Sequence, residues 1–180
     1  MADRATPDEV IDLLLRACQR RLTTADRLRS AADGRAKMRH RSLVADVLGE
    51  VADGVQSTLE RRYLHDVERA HCLPRGARNR PEGRDRSRLY RDVRYVAYRL
   101  VVELDGQAAH PGDRRERDDL RDNDLLLGEG IRTLRYGWRS GTVHPCETAG
   151  QVLDLLRSGG WAGAPKRCSP RCGPPRARTR

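Results

Sequence analysis

The stretch RLYRDVRYV (88–96) followed by RLVVELD (99–105) decides the fold of this chain. Both segments are rich in β-branched and aromatic residues, and only two residues separate them, so they read as paired antiparallel strands. A turn around Ala97-Tyr98 places Val96 opposite Arg99 and Asp92 opposite Glu103. Ala-Tyr is a poor two-residue hairpin loop, because neither residue favours φ > 0, but a longer loop of the same parity keeps the same facing. Directly opposed residues have Cβ atoms about 4.5–5.5 Å apart, and like charges there destabilise a sheet unless something positive lies between them. A hard divalent cation with oxygen ligands answers that need, and pairing of Asp92 with a neighbouring Arg answers it equally well. Asp105 falls on the same face as Glu103, while Leu100, Val102 and Leu104 form the opposite face and lock the strand onto a core.

Outward from this hairpin the periodicity switches to helical. Upstream, Ser57-Thr58-Leu59-Glu60 has the capping-box form, and Leu59, Tyr63, Leu64 and Val67 follow at helical spacing, predicting a helix over 58–71. Pro74 and Gly76 end it, and a loop rich in Arg, Pro and Gly leads to the hairpin. Downstream, 113–127 reads as a helix closed by Gly128 and Gly130, 131–136 (IRTLRY) as a strand, and 147–158 as a last helix. Near the start, 7–20 and 42–52 are amphipathic helices with a basic loop around Gly34 between them. The order implies an α/β or α+β sandwich, a mixed β-sheet flanked by helices with an N-terminal helical extension. The expected divisions are 1–53 for the extension, 54–161 for the main domain and 162–180 for a basic, solvated tail.

The 180 residues suffice for one core, but with 37% hydrophobic residues, 4% aromatics and no Phe that core is built of Leu and Val. The net charge of +10 is concentrated in the Arg-rich run from Arg75 to Arg99 and in the tail, both of which would attract a polyanion. No apolar stretch is long enough to span a membrane and no signal pattern opens the chain, so a cytoplasmic protein is expected. Five scattered Cys argue against a disulfide framework. Cys168 and Cys172 form a C-x-x-x-C pair that could take zinc with His144 or Cys146, but no second pair has ligand spacing, and structural zinc is not expected.

Tyr90-Arg91-Asp92-Val93, Leu100 to Gly106, His110, Arg117-Asp118, Arg121-Asp122-Asn123 and Leu134-Arg135-Tyr136-Gly137-Trp138 together resemble a bacterial family of unknown function. That family is grouped with the Vsr-like (very short patch repair) endonucleases of the PD-(D/E)XK superfamily, and the resemblance covers about residues 54–161. It implies a restriction-endonuclease-like core of helix, three strands, helix and strand. It further implies that Asp92, Glu103 and the Leu104 carbonyl hold Mg²⁺ or Mn²⁺ and that an activated water attacks a DNA phosphodiester. The superfamily's Lys two residues after the Glu is Asp105 here, so His110 becomes the candidate to orient or deprotonate the water. Glu60 becomes a candidate further ligand, beside its plain reading as a cap. Arg91, Arg94, Arg117 and Arg121 become candidate phosphate contacts, the last two sharing a helix face, where ion pairing with nearby Asp competes. Trp138 is expected to close the core. Two other functions fit the same residues: a nuclease-fold DNA-binding module without turnover, and a regulatory or toxin–antitoxin component that recruits a protein partner through the N-terminal helices. A monomer or a homodimer accommodates either.

Overall fold

In a computed structural model, residues 5–78, 81–82, 89–90, 92–105 and 112–172 are described, the side chains of 81, 82, 89, 90 and 112–118 excepted. The chain divides into two compact units, Met1–Arg61 and Arg62–Arg180.

The first unit holds α1 (Pro7–Gln19), α2 (Ala25–Asp33) and α3 (Arg41–Ala52). Thr6 caps α1: its backbone N–H and hydroxyl both donate to Glu9, while the Glu9 amide donates back to Thr6 Oγ1. This reciprocal box satisfies amides that the first helical turn leaves unpaired, and Pro7 needs no partner there. Val10 of α1 packs with Val44 and Leu48 of α3, and Leu14, Ala25, Leu28 and Ala32 close around them. The loop expected between two helices therefore contains a third, α2, started by Thr24, whose hydroxyl accepts from the Arg27 amide.

The second unit is mixed α/β. At its start a π-helical stretch, Tyr63–Arg69, directly follows the short α4 (Thr58–Arg62) in the chain. Then come β1 (Ala77–Arg78), β2 (Pro81–Glu82), β3 (Leu89–Tyr90), β4 (Val93–Tyr95), β5 (Leu100–Asp105), α5 (Gly112–Glu129), β6 (Arg132–Gly137), α6 (Trp138–Thr142) and α7 (Pro145–Ser158). The main sheet has the order β1-β4-β5-β6; its first two pairings are antiparallel and the last is parallel. β2 and β3 form a separate two-stranded ribbon.

The pairing of β4 with β5 sets Val93 against Val102, Arg94 against Val101 and Tyr95 against Leu100, the register expected from a turn centred on Ala97-Tyr98. The loop takes the longer form: Val96–Tyr98 make one 3-10 turn, and Arg99 alone adopts a left-handed φ of 50°. One positive φ costs less than the two that a tight type I′ turn would demand of Ala97 and Tyr98.

β5 is buried along most of its length, with Leu100, Val101, Val102, Glu103 and Leu104 all inside. Burying Leu100, Val102 and Leu104 yields roughly 5 kcal/mol or more, which offsets the several kcal/mol that a carboxylate such as Glu103 costs when taken partly out of water. Tyr95, on the same face as Leu100, reaches the π-helical stretch, where its hydroxyl donates to Glu68 Oε1 at 2.5 Å and lies 3.0 Å from the Tyr63 hydroxyl. Burial pushes both phenols well above their ordinary pKa, so they serve as neutral hydrogen-bonding groups. Glu68 also accepts from the Gly76 amide at 3.1 Å and pairs with the buried Arg78 of β1. Gly76 has no room for a side chain, since a Cβ there would lie 2.3 Å from Val93 Cγ1. Trp138, expected in the core, is 48% exposed at the start of α6; Tyr136 and the α7 residues Ala149, Val152, Leu153 and Leu156 are buried instead.

Candidate functional site

The acidic face of the β4–β5 hairpin is built by register. Extending the observed pairing by one residue from Val93↔Val102 brings Asp92 opposite Glu103. Asp92 Oδ2 accepts the Leu104 amide hydrogen at 2.6 Å, so the carboxylate is fastened to the neighbouring strand at the residue whose own carbonyl was the expected third ligand. A charged acceptor makes this a strong hydrogen bond, and it leaves the Asp92 carboxylate little freedom to move. Glu103 is only 8% exposed.

On the other side of β5, the parallel pairing with β6 sets Glu103 beside Arg135. Arg135 bonds Asp122 of α5 at 2.5 Å and lies 3.8 Å from Asp105. Burial works against its charge. The hydrogen bond and charge of Asp122, then the charges of Glu103 and Asp105, more than offset this and hold the guanidinium above its ordinary pKa. The positive charge beside Asp105 and Glu103 thus comes from Arg135 on β6. From sequence, Arg135 stands out only as part of LRYGW (134–138), with no role of its own. Only the parallel register reveals it: β6 beginning at Arg132 beside Leu100 puts Arg135 beside Glu103.

Among the described residues no three acidic ligand atoms close on one point, so Asp105 does not complete a triple with Asp92 and Glu103. The donor set that remains is two carboxylates and one main-chain carbonyl. All are hard oxygen donors, the class that suits Mg²⁺ or Mn²⁺ with water filling the remaining positions.

The other candidates are dispersed. Glu60 belongs to the first unit and acts as a cap: its amide donates to Ser57 Oγ at 3.1 Å, and its carboxylate accepts from the Gln56 amide at 3.0 Å. Arg94 lines a cavity of about 550 Å³ with Arg99, Val101 and the end of α5 at Gly128–Gly130. Arg121 is half-buried on α5. Arg91, His110 and the Arg117 side chain lie outside the described residues. His144 faces Glu147 at 3.6 Å.

No protein-family model, curated protein or solved structure matches this chain.

Proposed function

We propose that the second unit is a Mg²⁺- or Mn²⁺-dependent endonuclease of the PD-(D/E)XK kind that hydrolyses phosphodiester bonds in DNA. The observations that carry this reading are the β4–β5 register, which continued by one residue sets Asp92 against Glu103, and the bond from the Leu104 amide to Asp92. The element order from the π-helical stretch onward, helix, three sheet strands, helix, strand, supports it. In this reading Asp92, Glu103 and the Leu104 carbonyl hold the cation. Once bound, the cation supplies Lewis acidity to a phosphate oxygen and lowers the pKa of a coordinated water.

The chain's own groups do the rest. Buried β5 fixes the two carboxylates so that no reorganisation is needed at the moment of reaction. Arg135 offers positive charge beside Glu103 for an incoming phosphate; with its pKa raised it stays charged and takes up no proton. Proton transfer falls to His110. Arg94 and Arg99 offer cationic side chains for the DNA backbone at the hairpin end.

The second reading is a DNA-binding module that has lost turnover. It is favoured by Asp105 in the usual Lys position and by its pairing with Arg135, which neutralises part of the acidic face without any metal. The N-terminal three-helix unit would serve a protein partner in either case.

The test is cleavage of supercoiled, mismatched and single-stranded DNA with Mg²⁺ or Mn²⁺, beside Asp92→Asn and Glu103→Gln. Metal-dependent cleavage lost in both variants supports the nuclease. A folded wild-type protein that binds DNA and cuts none of these substrates supports the binding module.

A further inference from the structure

The second metal-competent place in the molecule lies away from the acidic face and is made of sulfur and nitrogen. His71 Nε2 and the Sγ atoms of Cys146, Cys168 and Cys172 all lie within 4.8 Å of one another. The Sγ atoms of Cys146 and Cys168 are 3.4 Å apart, and Cys172 Sγ is 3.4 Å from His71 Nε2. We propose that these four side chains form a closed tetrahedral site for Zn²⁺ that clamps the segment after α7 to the end of the π-helical stretch.

Geometry argues for a metal over a simple thiol pair. A zinc–sulfur bond of about 2.3 Å in a tetrahedron sets neighbouring sulfurs about 3.8 Å apart, close to the spacing found. A disulfide needs about 2.05 Å and has no use for a histidine. His71 is 1% exposed, and its Nδ1 lies 3.0 Å from the Val67 carbonyl oxygen. A proton on Nδ1 donated to that carbonyl leaves the Nε2 lone pair aimed at the three sulfurs, the arrangement by which protein groups orient a metal-binding imidazole.

Each ligand comes from a defined piece of chain. Cys146 sits in the first turn of α7. Cys168 and Cys172 are joined by a turn in which the Cys172 amide donates to the Ser169 carbonyl at 3.0 Å, and the Lys166 amide donates to the His71 carbonyl at 2.9 Å. On binding, the three thiols release their protons to solvent. Three thiolates, a neutral imidazole and Zn²⁺ leave one net negative charge, and Lys166, Arg167 and Arg171 flank the two C-terminal ligands in the sequence.

The site is closed by four protein ligands, so its role is to hold structure. The segment it holds has nothing else of comparable strength: from Trp161 to Arg171 no residue is buried, and Cys172 is 3% exposed. Before any metal enters, burial pushes the Cys146 thiol up to about 12. Burial also raises Cys172, but hydrogen bonds from the Cys168 backbone and from Cys146, His71 and Cys168 outweigh it and hold that thiol near about 7. The expectation against zinc rested on pair spacing along the chain, and His71 lies 101 positions before Cys172.

The experiment uses the full chain purified in reductant with no added metal. Zinc is counted by plasma emission and the site probed by cobalt substitution. The expected result is about one zinc per chain, with intense visible cobalt bands of a tetrahedral thiolate site. Cys72→Ser, an exposed cysteine outside the cluster, should keep the metal, and the pair Cys168→Ser with Cys172→Ser should lose most of it. A chelator should open the chain to trypsin at Lys166, Arg167 and Arg171 first. Folded wild-type protein without stoichiometric zinc and with no cobalt spectrum overturns the site. If the double variant fails to fold, the wild-type zinc count and cobalt spectrum still decide.

Discussion

The acidic face of β4–β5 and the Cys/His cluster are both places where a cation would relieve local chemistry, yet they are assembled in opposite ways. Asp92 and Glu103 belong to one hairpin, Glu103 on the buried strand β5 and Asp92 just before β4, tied to β5 through the Leu104 amide. His71, Cys146, Cys168 and Cys172 come from three separate segments with little else to join the last of them. The first offers hard oxygen, the second soft sulfur and imidazole, so the two sites would select different metals from the same solution. A binding place can thus be a consequence of the fold or a condition for part of it, and the hairpin and the cluster stand at these two ends.

The sharpest way to break this comparison is to remove the oxygen donors. Glu103→Gln and Asp92→Asn should each lower metal-dependent cleavage by roughly two to three orders of magnitude, since the cation's Lewis-acid contribution is several kcal/mol. Zinc content should stay unchanged in both, so a loss of zinc alongside cleavage would show that the sites are not independent. The next effect is on stability. Glu68→Ala strands the buried Arg78 guanidinium and should cost about 3–5 kcal/mol, read as a lowered denaturant midpoint of the second unit. Arg135→Ala should reduce cleavage about a hundredfold and Arg135→Lys much less, with metal content at the cluster again unmoved. If Arg135→Ala cleaves as well as wild type, the guanidinium only balances Asp105 and Asp122.

The smallest expected effect lies in the first unit. Thr6→Ala should cost about 1 kcal/mol of helix stability, measured by thermal melting. The hydrogen bonds from Thr6 hold the Glu9 carboxyl below its ordinary pKa, so their contribution is present above the unfolded value and disappears as pH falls through the folded one. Melting of wild type should therefore weaken on the acid side, and Thr6→Ala should lose only part of that slope, because the larger contribution comes from the Thr6 backbone N–H, which the substitution keeps.

What the sequence disclosed follows the same division between local and assembled features. The β4–β5 register was legible because strand parity fixes it once the loop is centred on Ala97-Tyr98, whatever the loop's length. The burial of Leu100, Val102 and Leu104 was legible from alternation. Helix α2 was not, because ADRLRSAAD carries little apolar character; Thr24 and packing of Leu28 and Ala32 on α3 make it helical. Arg135 needed a parallel register that no local pattern specifies. Trp138 was assigned to the core by type, but it follows β6 directly into α6, and that corner faces outward.

The 101-position separation between His71 and Cys172 also bears on how the protein is made. Synthesis runs from the N-terminus, so His71 is made well before Cys168 and Cys172. His71 and Cys146 would wait as a half-site until the last two ligands emerge. Capture of zinc would then be a late event in biogenesis, and a shortage of the metal would leave the sheet assembled and the basic segment after α7 exposed to proteases.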